Sequence, residues 1–282
     1  MNLEHLLYGL MLRSGNDAAV AIAEHVGGSI EGFAYLMNEK AMMLGMENSN
    51  FQNPHGLDEK GHVSTANDLA KLTAYALKNP VFQNIVKTKV KIVPNPNEKW
   101  GYKWLNKNKM LYMYDGADGV KTGYTRIAGR CLISSATRDG RQIAVVTLND
   151  PNDWADHKKL LDYGFTQFSE EEIIEKGETF GSAPLWAAQS FRYPLREGES
   201  DKIEKKISFY RPDSIPYRFG EKGRVDVYLE GELIGSVPLT DPQADAESAG
   251  DYQAFRGANA NMRYASVLQT VLKQLFSVIS GN

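Results

Sequence analysis

Cysteine is almost absent from this sequence, because Cys131 is the only one in 282 residues. A single cysteine excludes an intramolecular disulfide, which fits a cytosolic protein or an exported protein from a cell that seldom uses disulfides. A strong excess of charge is also missing, since 32 basic and 35 acidic residues give a formal net charge of −3. That balance provides no polyanion-binding surface and argues against nucleic acid as a partner.

A signal peptide is missing as well, since no basic stretch followed by an apolar run opens the chain. Met1 leads directly into an amphipathic pattern with Leu3, Leu6 and Leu10. A mature domain rarely begins on the first turn of a core helix, so we expect an N-terminally truncated piece of a longer protein. Hydrophobic residues make up 42% of the chain, which argues against global disorder and is enough for one large domain or two.

The first part of the chain shows helical periodicity followed by strand periodicity. Helices are predicted at 3–12, 17–26, 31–44, 64–77 (with Ser64 as its cap) and 153–168. Strands are predicted at 86–93, 119–124, 130–137 and 142–148, with Asp139-Gly140 as the last hairpin turn. Residues 1–168 are therefore expected to form one α+β domain, with helices packed on an antiparallel sheet.

The second part of the chain differs in character. Short strand-like runs alternate with Gly and Pro turns over 173–240, which predicts a small all-β accessory domain. Residues 241–262 are typical of a linker, and 263–282 of an amphipathic helix that is too short and too polar to span a bilayer. Two roles stay open for that helix: membrane-surface contact through 263–280, or packing on the β domain.

Two short motifs carry the chemistry. Ser14-Gly15-Asn16 lies between the first two helices, and Lys121-Thr122-Gly123 lies in a predicted strand. Each motif alone is ordinary, because the first is a common helix cap and the second a common strand end. Together, and in this order, they resemble the second and third motifs of penicillin-binding proteins and class A β-lactamases.

Further segments narrow that resemblance. They are Asn53-Pro54-His55-Gly56-Leu57-Asp58, Gly61-His62, Ser64-Thr65-Ala66, Asp68, and Asp118-Gly119-Val120 before the lysine motif. The chain resembles the serine-type D-alanyl-D-alanine carboxypeptidases, the low-molecular-mass penicillin-binding proteins, closely over residues 1 to about 168. The resemblance implies a penicillin-binding-protein/β-lactamase-like domain followed by an accessory domain and a membrane anchor.

The resemblance also implies catalytic roles. In this family the serine of a Ser-x-x-Lys motif attacks the substrate and its lysine takes the proton. Ser14 matches a hydroxyl relay that passes a proton to the leaving amine, and Asn16 matches a side chain that hydrogen-bonds the substrate amide carbonyl. Lys121 matches the lysine that favours alkoxide character and attracts the terminal carboxylate of the substrate.

Substrate-binding roles follow for the lysine motif. Thr122 matches a hydroxyl donor to the same carboxylate as Lys121, and Gly123 lets a peptide lie against the strand. The backbone N–H of Tyr124 matches half of the oxyanion hole. Some relatives have His at that position, so a side-chain role for Tyr124 is not implied.

The departure from the family is that no Ser-x-x-Lys occurs in these 282 residues. We expect the acylating serine to lie upstream of Met1 and the given chain to be inactive. The helix that carries it crosses the domain centre in the family, so its absence should expose Leu6, Leu10 and Val20 and loosen the helical region. Ser14 and Lys121 should still approach each other in an open groove.

The resemblance implies an extracytoplasmic enzyme at the bacterial membrane that removes the terminal D-Ala from peptidoglycan stem peptides and that β-lactams inhibit. No metal or organic cofactor is implied. A non-catalytic peptidoglycan-binding pseudoenzyme is the alternative. A class A β-lactamase is disfavoured, because neither Glu59 nor Glu98 is followed by Asn four residues later.

Four other side chains receive weaker predictions. His55 and His62 lie in a turn-rich loop and are expected to fix it by hydrogen bonds rather than to bind metal. Lys107 is expected to be a solvated lysine, and Trp154 a core residue.

Overall fold

Seven helices are described in the unit Met1–Phe168 of the computed structural model, which describes residues 1–94, 100–181 and 185–241. They are α1 (Leu3–Arg13), α2 (Asn16–Gly27), α3 (Ile30–Met43), α4 (Ala66–Ala76), α5 (Pro80–Val86), α6 (Met110–Met113) and α7 (Asp153–Gln167). The cap of α4 is Thr65, whose side chain accepts from the Asp68 N–H at 3.2 Å. The prediction of Ser64 as cap was wrong, because its hydroxyl lies 2.9 Å from that of Ser49.

A three-stranded antiparallel sheet completes this unit and confirms the predicted α+β class. Its strands are β3 (Ala117–Thr125), β4 (Gly129–Arg138) and β5 (Arg141–Thr147), in that order. Asp139 and Gly140 have φ of 51° and 78°, the positive values that a two-residue hairpin turn requires. A separate hairpin pairs β1 (Val90–Val93) with β2 (Tyr102–Leu105).

The prediction of one strand over 86–93 was wrong at its start. Pro80 occupies the first turn of α5, where its fixed φ suits a helix. The Asn79 side chain caps that helix by accepting from the Val81 N–H at 2.9 Å. Val86 is fully buried at the helix end, and strand β1 begins only at Val90.

Two apolar clusters lie on the sheet. One joins α6 and α7 to β4 and β5 through Met110, Leu132, Ala136, Val145 and Leu161. The other consists of Leu77, Val86 and Val120, with partly buried neighbours around them. Val120 anchors β3 directly before Lys121, and burying such a side chain stabilises the fold by about 1.5–3 kcal/mol.

The expected exposure of the α1 and α2 side chains is not what the structure shows. Leu6, Leu10 and Val20 are half-buried. The most exposed apolar side chains of the first three helices include Tyr35 at 64% and Met42 at 68%, both on α3. The predicted looseness of the helical region stays a prediction.

The second unit, Ser169–Asn282, is rich in strands in its described part. They are β6 (Ser169–Ile174), β7 (Thr179–Phe180), β8 (Leu185–Ala187), β9 (Phe191–Leu195), β10 (Ile203–Phe209), β11 (Glu221–Leu229) and β12 (Glu232–Thr240). Five form a sheet in the order β10-β11-β12-β8-β7, and β6 pairs with β9. The unit also has a 3₁₀ turn (Ser200–Lys202) and a short helix, α8 (Ile215–Arg218).

The core of this second unit is apolar, with Ile174, Phe180, Ala187, Val225, Val227, Val237 and Leu239 buried together. Its first strand already begins at Ser169, four residues before the predicted start at 173. The predicted linker, apart from Asp241, and the predicted amphipathic helix lie outside the described residues. In the part of the chain that the structure describes, no helix has the length and apolarity needed to cross a membrane.

Candidate active site

Ser14 lies at the tight junction between α1 and α2. It is the C-cap of α1, with a left-handed φ of 58°, and its N–H donates to the Leu10 carbonyl at 3.0 Å. Asn16 is the first residue of α2, so Ser14 itself is not an N-cap. A left-handed residue other than Gly costs about 1–2 kcal/mol, a strain typical of functional sites.

Lys121 lies within β3 and reaches Ser14 from the sheet. Its Nζ donates to the Ser14 Oγ at 2.5 Å and to the Thr122 carbonyl at 2.6 Å. Burial away from water, together with a smaller effect of repulsion by Lys107, lowers the pKa of Lys121 to about 8. This ammonium is therefore mostly charged at pH 7 but needs little free energy to give up its proton.

An open cleft of about 890 Å³ surrounds this contact. All six residues predicted for the site line it: Ser14, Asn16, Lys121, Thr122, Gly123 and Tyr124. Tyr124 is 71% exposed, while Gly123 lies opposite Cys131, with 3.4 Å between its ideal Cβ position and the Cys131 Cβ. The exposed backbone of this strand leaves room for a peptide to lie along it.

Asp118 fixes the start of β3. Its carboxylate accepts from Ser135 at 2.5 Å and Thr137 at 2.6 Å on β4, and from Gln142 at 2.8 Å on β5. Charge-assisted hydrogen bonds of this kind are stronger than neutral ones. Asp118 thereby holds the strand that presents Lys121 in one register.

The loop between α3 and α4 forms another wall of the cleft. Buried Asn53 donates to the Leu57 carbonyl at 3.1 Å and to Glu59 at 2.8 Å. His62 accepts from the Gln52 N–H at 3.1 Å, and His55 accepts from the Leu57 N–H at 3.3 Å. These bonds confirm the predicted loop-fixing role of the two histidines.

Burial lowers the pKa of His62, against the opposing effect of the nearby Glu59 carboxylate. Among residues 1–94, 100–181 and 185–241, no group of three His, Cys, Asp or Glu side chains could hold a metal ion.

Several cleft residues were not predicted from the sequence as site residues. Arg130 and Asp153 line the cleft as an ion pair, with 2.7 Å between Nη2 and Oδ1. Trp154 lines it too while packing against the cluster around Met110, so its prediction as a core residue was incomplete. Lys107 is exposed, as predicted, but it also lines the cleft.

A positional signal for Arg130 was available in the sequence. In a β3–β4 hairpin the residue opposite Tyr124 faces the end of the lysine motif, and that residue is Arg130. No comparable signal pointed to Asp153, which reaches the cleft from α7.

Solved structures identify the class of fold. The chain is similar to penicillin binding protein 5 from Haemophilus influenzae, with 28% identity and a TM-score of 0.66 over 84% of this chain and 72% of that one. It is also similar to penicillin binding protein 6B from Escherichia coli, with 27% identity, a TM-score of 0.60 and coverage of 84% and 68%. The fold is thus that of the penicillin-binding proteins.

The sequence comparisons give the family. Residues 1–152 match the family described as D-alanyl-D-alanine carboxypeptidase. The chain is 33% identical to D-alanyl-D-alanine carboxypeptidase DacF of Bacillus subtilis, over 89% of this chain and 68% of the relative. It is 31% identical to DacC of Escherichia coli, over 82% of this chain and 60% of the relative. The chain belongs to the D-alanyl-D-alanine carboxypeptidase family.

Proposed function

We propose that the cleft binds the D-Ala-D-Ala end of a peptidoglycan stem peptide, the substrate from which this family removes the terminal D-Ala through a serine acyl-enzyme. The single observation that carries the proposal is the 2.5 Å contact between Lys121 and Ser14 inside the cleft. The 282 residues contain no Ser-x-x-Lys, so the chain as given should bind the peptide without being acylated.

The lysine motif would hold the terminal carboxylate. Lys121 supplies the positive charge and Thr122 a hydroxyl donor, both on the wall of the cleft. The backbone N–H of Tyr124 would then donate to the oxygen of the scissile carbonyl, and Asn16 to the preceding amide carbonyl. Gly123 has no side chain to keep the peptide away from β3.

The contact between Ser14 and Lys121 suits proton transfer to the leaving group. When the terminal C–N bond breaks, the Ser14 hydroxyl would give its proton to the departing amine of D-Ala. The Lys121 ammonium would return a proton to the Ser14 oxygen, a step that its pKa of about 8 favours. Acylation itself needs a serine that these 282 residues do not supply.

Two other functions are alternatives to this one. A non-catalytic peptidoglycan-binding protein is the second candidate, favoured by the missing Ser-x-x-Lys. The class A β-lactamase is disfavoured further, because Glu59 accepts from Asn53 and is occupied in fixing the loop. Glu98 lies outside the described residues.

The proposal extends to the location of the protein in the cell and to β-lactams as its inhibitors. A stem-peptide substrate places the chain on the extracytoplasmic face of the bacterial membrane, and β-lactams would occupy the cleft as mimics of D-Ala-D-Ala. Contact with the membrane surface through residues 263–280 belongs to the proposal as well. Sedimentation with anionic vesicles tests it against a chain ending at Asn261, and equal partitioning of the two would refute it.

Peptide binding and β-lactam labelling test the central proposal. A peptide ending in D-Ala-D-Ala should bind the 282-residue chain reversibly, and a fluorescent penicillin should leave no covalent band. Lys121→Ala should weaken peptide binding by about tenfold, the scale of one charge-assisted hydrogen bond. The matched control is Lys103→Ala, an exposed lysine of β2 outside the cleft. A labelled band, or equal binding by the Lys121 variant, would contradict the proposal.

A further inference from the structure

The ion pair of Arg130 and Asp153 has no part in the function proposed above, although both residues line the cleft. Asp153 accepts from Nε of Arg130 at 3.2 Å and from its Nη2 at 2.7 Å. The Asp153 side chain is 5% exposed, whereas that of Arg130 is 43% exposed. One side of the guanidinium is therefore held by the buried carboxylate, and its other side is open to solvent.

Neutralisation of the buried Asp153 carboxylate explains the ion pair, but it leaves some N–H donors of the guanidinium unused. Arginine has five N–H donors in a rigid fork, and Asp153 takes only those on Nε and Nη2. Trp154 supports the group from the side, with its ring centroid 5.8 Å from the guanidinium carbon of Arg130. A guanidinium fixed in this way loses little conformational freedom when the donors on Nη1 meet a ligand.

The pairing of β3 with β4 determines which part of a bound substrate would lie beside Arg130. On the proposed function, the terminal carboxylate lies at Lys121 and Thr122 and the scissile carbonyl at the N–H of Tyr124. The acyl-donor part, which precedes the scissile bond, must then continue past Tyr124. Arg130 lies directly opposite Tyr124, about 10 Å along the strand from Lys121 at 3.3 Å per residue.

The cleft has an excess of positive charge that one carboxylate would not neutralise. Its lysines and arginine are Lys107, Lys121 and Arg130, and its one aspartate is Asp153. The terminal carboxylate of a D-Ala-D-Ala peptide neutralises only one of the two excess positive charges. A second carboxylate on the acyl-donor part would neutralise the other and accept a charge-assisted hydrogen bond from Nη1 of Arg130.

We infer that Arg130, positioned by Asp153, is a specificity residue that binds a free side-chain carboxylate on the residue preceding D-Ala-D-Ala. The inference rests on the proposed function and names its substrate class. The substrates would be stem peptides with a dicarboxylic residue at that position, preferred over those in which the carboxylate is amidated or absent.

Two synthetic peptides ending in D-Ala-D-Ala test this with the 282-residue chain. They are identical except that the preceding residue carries a free side-chain carboxylate in one and a carboxamide in the other. Calorimetric titration should show about tenfold tighter binding of the acid, the low end for a hydrogen bond to a charged group that is partly exposed. Arg130→Gln should remove this preference, so that the acid binds no more tightly than the amide.

The matched control is Arg126→Gln, an exposed arginine of the same hairpin outside the cleft lining, which should keep the preference. Because Arg130→Gln leaves Asp153 buried and unpaired, the double variant Arg130→Gln/Asp153→Asn provides a second test without that penalty. It should also bind both peptides equally. A preference for the acid that persists in either variant overturns the inference.

The outcomes separate this inference from the proposed function. If neither peptide binds the wild-type chain, the proposed function fails and the inference fails with it. If both peptides bind and Lys121→Ala weakens them, but the wild-type chain does not distinguish acid from amide, only the role of Arg130 is overturned.

Discussion

Buried polar side chains are distributed unevenly between the two units. Of the residues that the structure describes, nine lie in Met1–Phe168: Asn53, Asp68, Thr73, Asn106, Asn108, Ser134, Ser135, Asp153 and His157. In the described part of the second unit, Asp226 and Thr240 are the only two. A buried polar group destabilises a fold unless its hydrogen bonds are made, so the first unit has more constraints on its backbone than the second.

Some of those constraints act on residues of the cleft or on the strand beside it. Asn106 donates to the Val86 carbonyl at 3.1 Å and accepts from the Asn108 N–H at 2.9 Å, on either side of Lys107. Ser135 donates to Asp118 and helps to hold the strand of Lys121. The comparison suggests that polar burial in the first unit positions cleft residues, whereas apolar packing in the second serves stability alone.

The largest effects are expected when one core leucine in each unit is truncated to alanine. Leu132 pairs with Thr122 across the hairpin, and Leu239 is buried in the second unit. Leu132→Ala and Leu239→Ala should each lower the free energy of unfolding of their unit by about 2–5 kcal/mol in urea titrations. Only Leu132→Ala should also weaken binding of a D-Ala-D-Ala peptide, and equal effects on binding would remove the distinction.

The pH dependence of stability should differ between the units because of His157. This ring is fully buried, with Nδ1 2.5 Å from the Ser134 Oγ and Nε2 3.0 Å from the Thr147 Oγ1. Burial lowers the pKa of His157 to about 4, although the nearby carboxylates of Asp150, Asp153 and Asp156 oppose the shift. The native state therefore favours the neutral ring.

The sign of the effect follows from these values. Above the unfolded pKa of about 6.5 the ring is neutral in both states and has no effect. As pH falls below 6.5, only the unfolded state takes up the proton, so stability is lost until about pH 4. The first unit should lose about 2 kcal/mol between pH 7 and pH 5 in urea titrations, relative to His157→Gln. An identical pH slope in the variant would show that His157 does not titrate as described.

The role of Lys121 is best tested where acylation can be measured. In a protein that joins a Ser-x-x-Lys segment of a relative to this chain, Lys121→Ala should slow acylation by penicillin about 10²-fold, the scale of one preorganised electrostatic contact. Lys103→Ala should leave the rate unchanged. An unaltered rate in the Lys121 variant would contradict the assignment of the carboxylate-binding lysine.

Helices and strands were predicted correctly from the sequence where their local pattern agrees with how they pack in the structure. The three sheet strands have period-two patterns, and the turn at Asp139-Gly140, which demands positive φ, joins β4 to β5 as predicted. Helix α5 was missed because Pro80 both stops and starts helices, and only the burial of Ile85 and Val86 decides between them. Strand β2 was missed as well, since four residues give too short a pattern to detect.

The candidate site was predictable where a motif names its residues. Ser14, Asn16 and the lysine motif were identified from their order along the chain, and the structure brings them to one cleft. Arg130 and Asp153 belong to no motif, because their contact depends on how α7 meets the start of β4. Tertiary contacts of that kind have no local signature in a single sequence.

The smallest expected effects come from a matched pair of serines that each hydrogen-bond a carboxylate. Ser135 donates to Asp118 beside β3, and Ser236 donates to Asp226 in the second unit. Removing either hydroxyl deletes one such bond, so Ser135→Ala and Ser236→Ala should each lower the free energy of unfolding by about 1–2 kcal/mol. If polar contacts in the first unit position the cleft, Ser135→Ala should also weaken peptide binding a few-fold, and Ser236→Ala should not. Equal peptide affinity in the two variants, at equal loss of stability, would mean that the hydrogen bonds of Asp118 only stabilise the sheet.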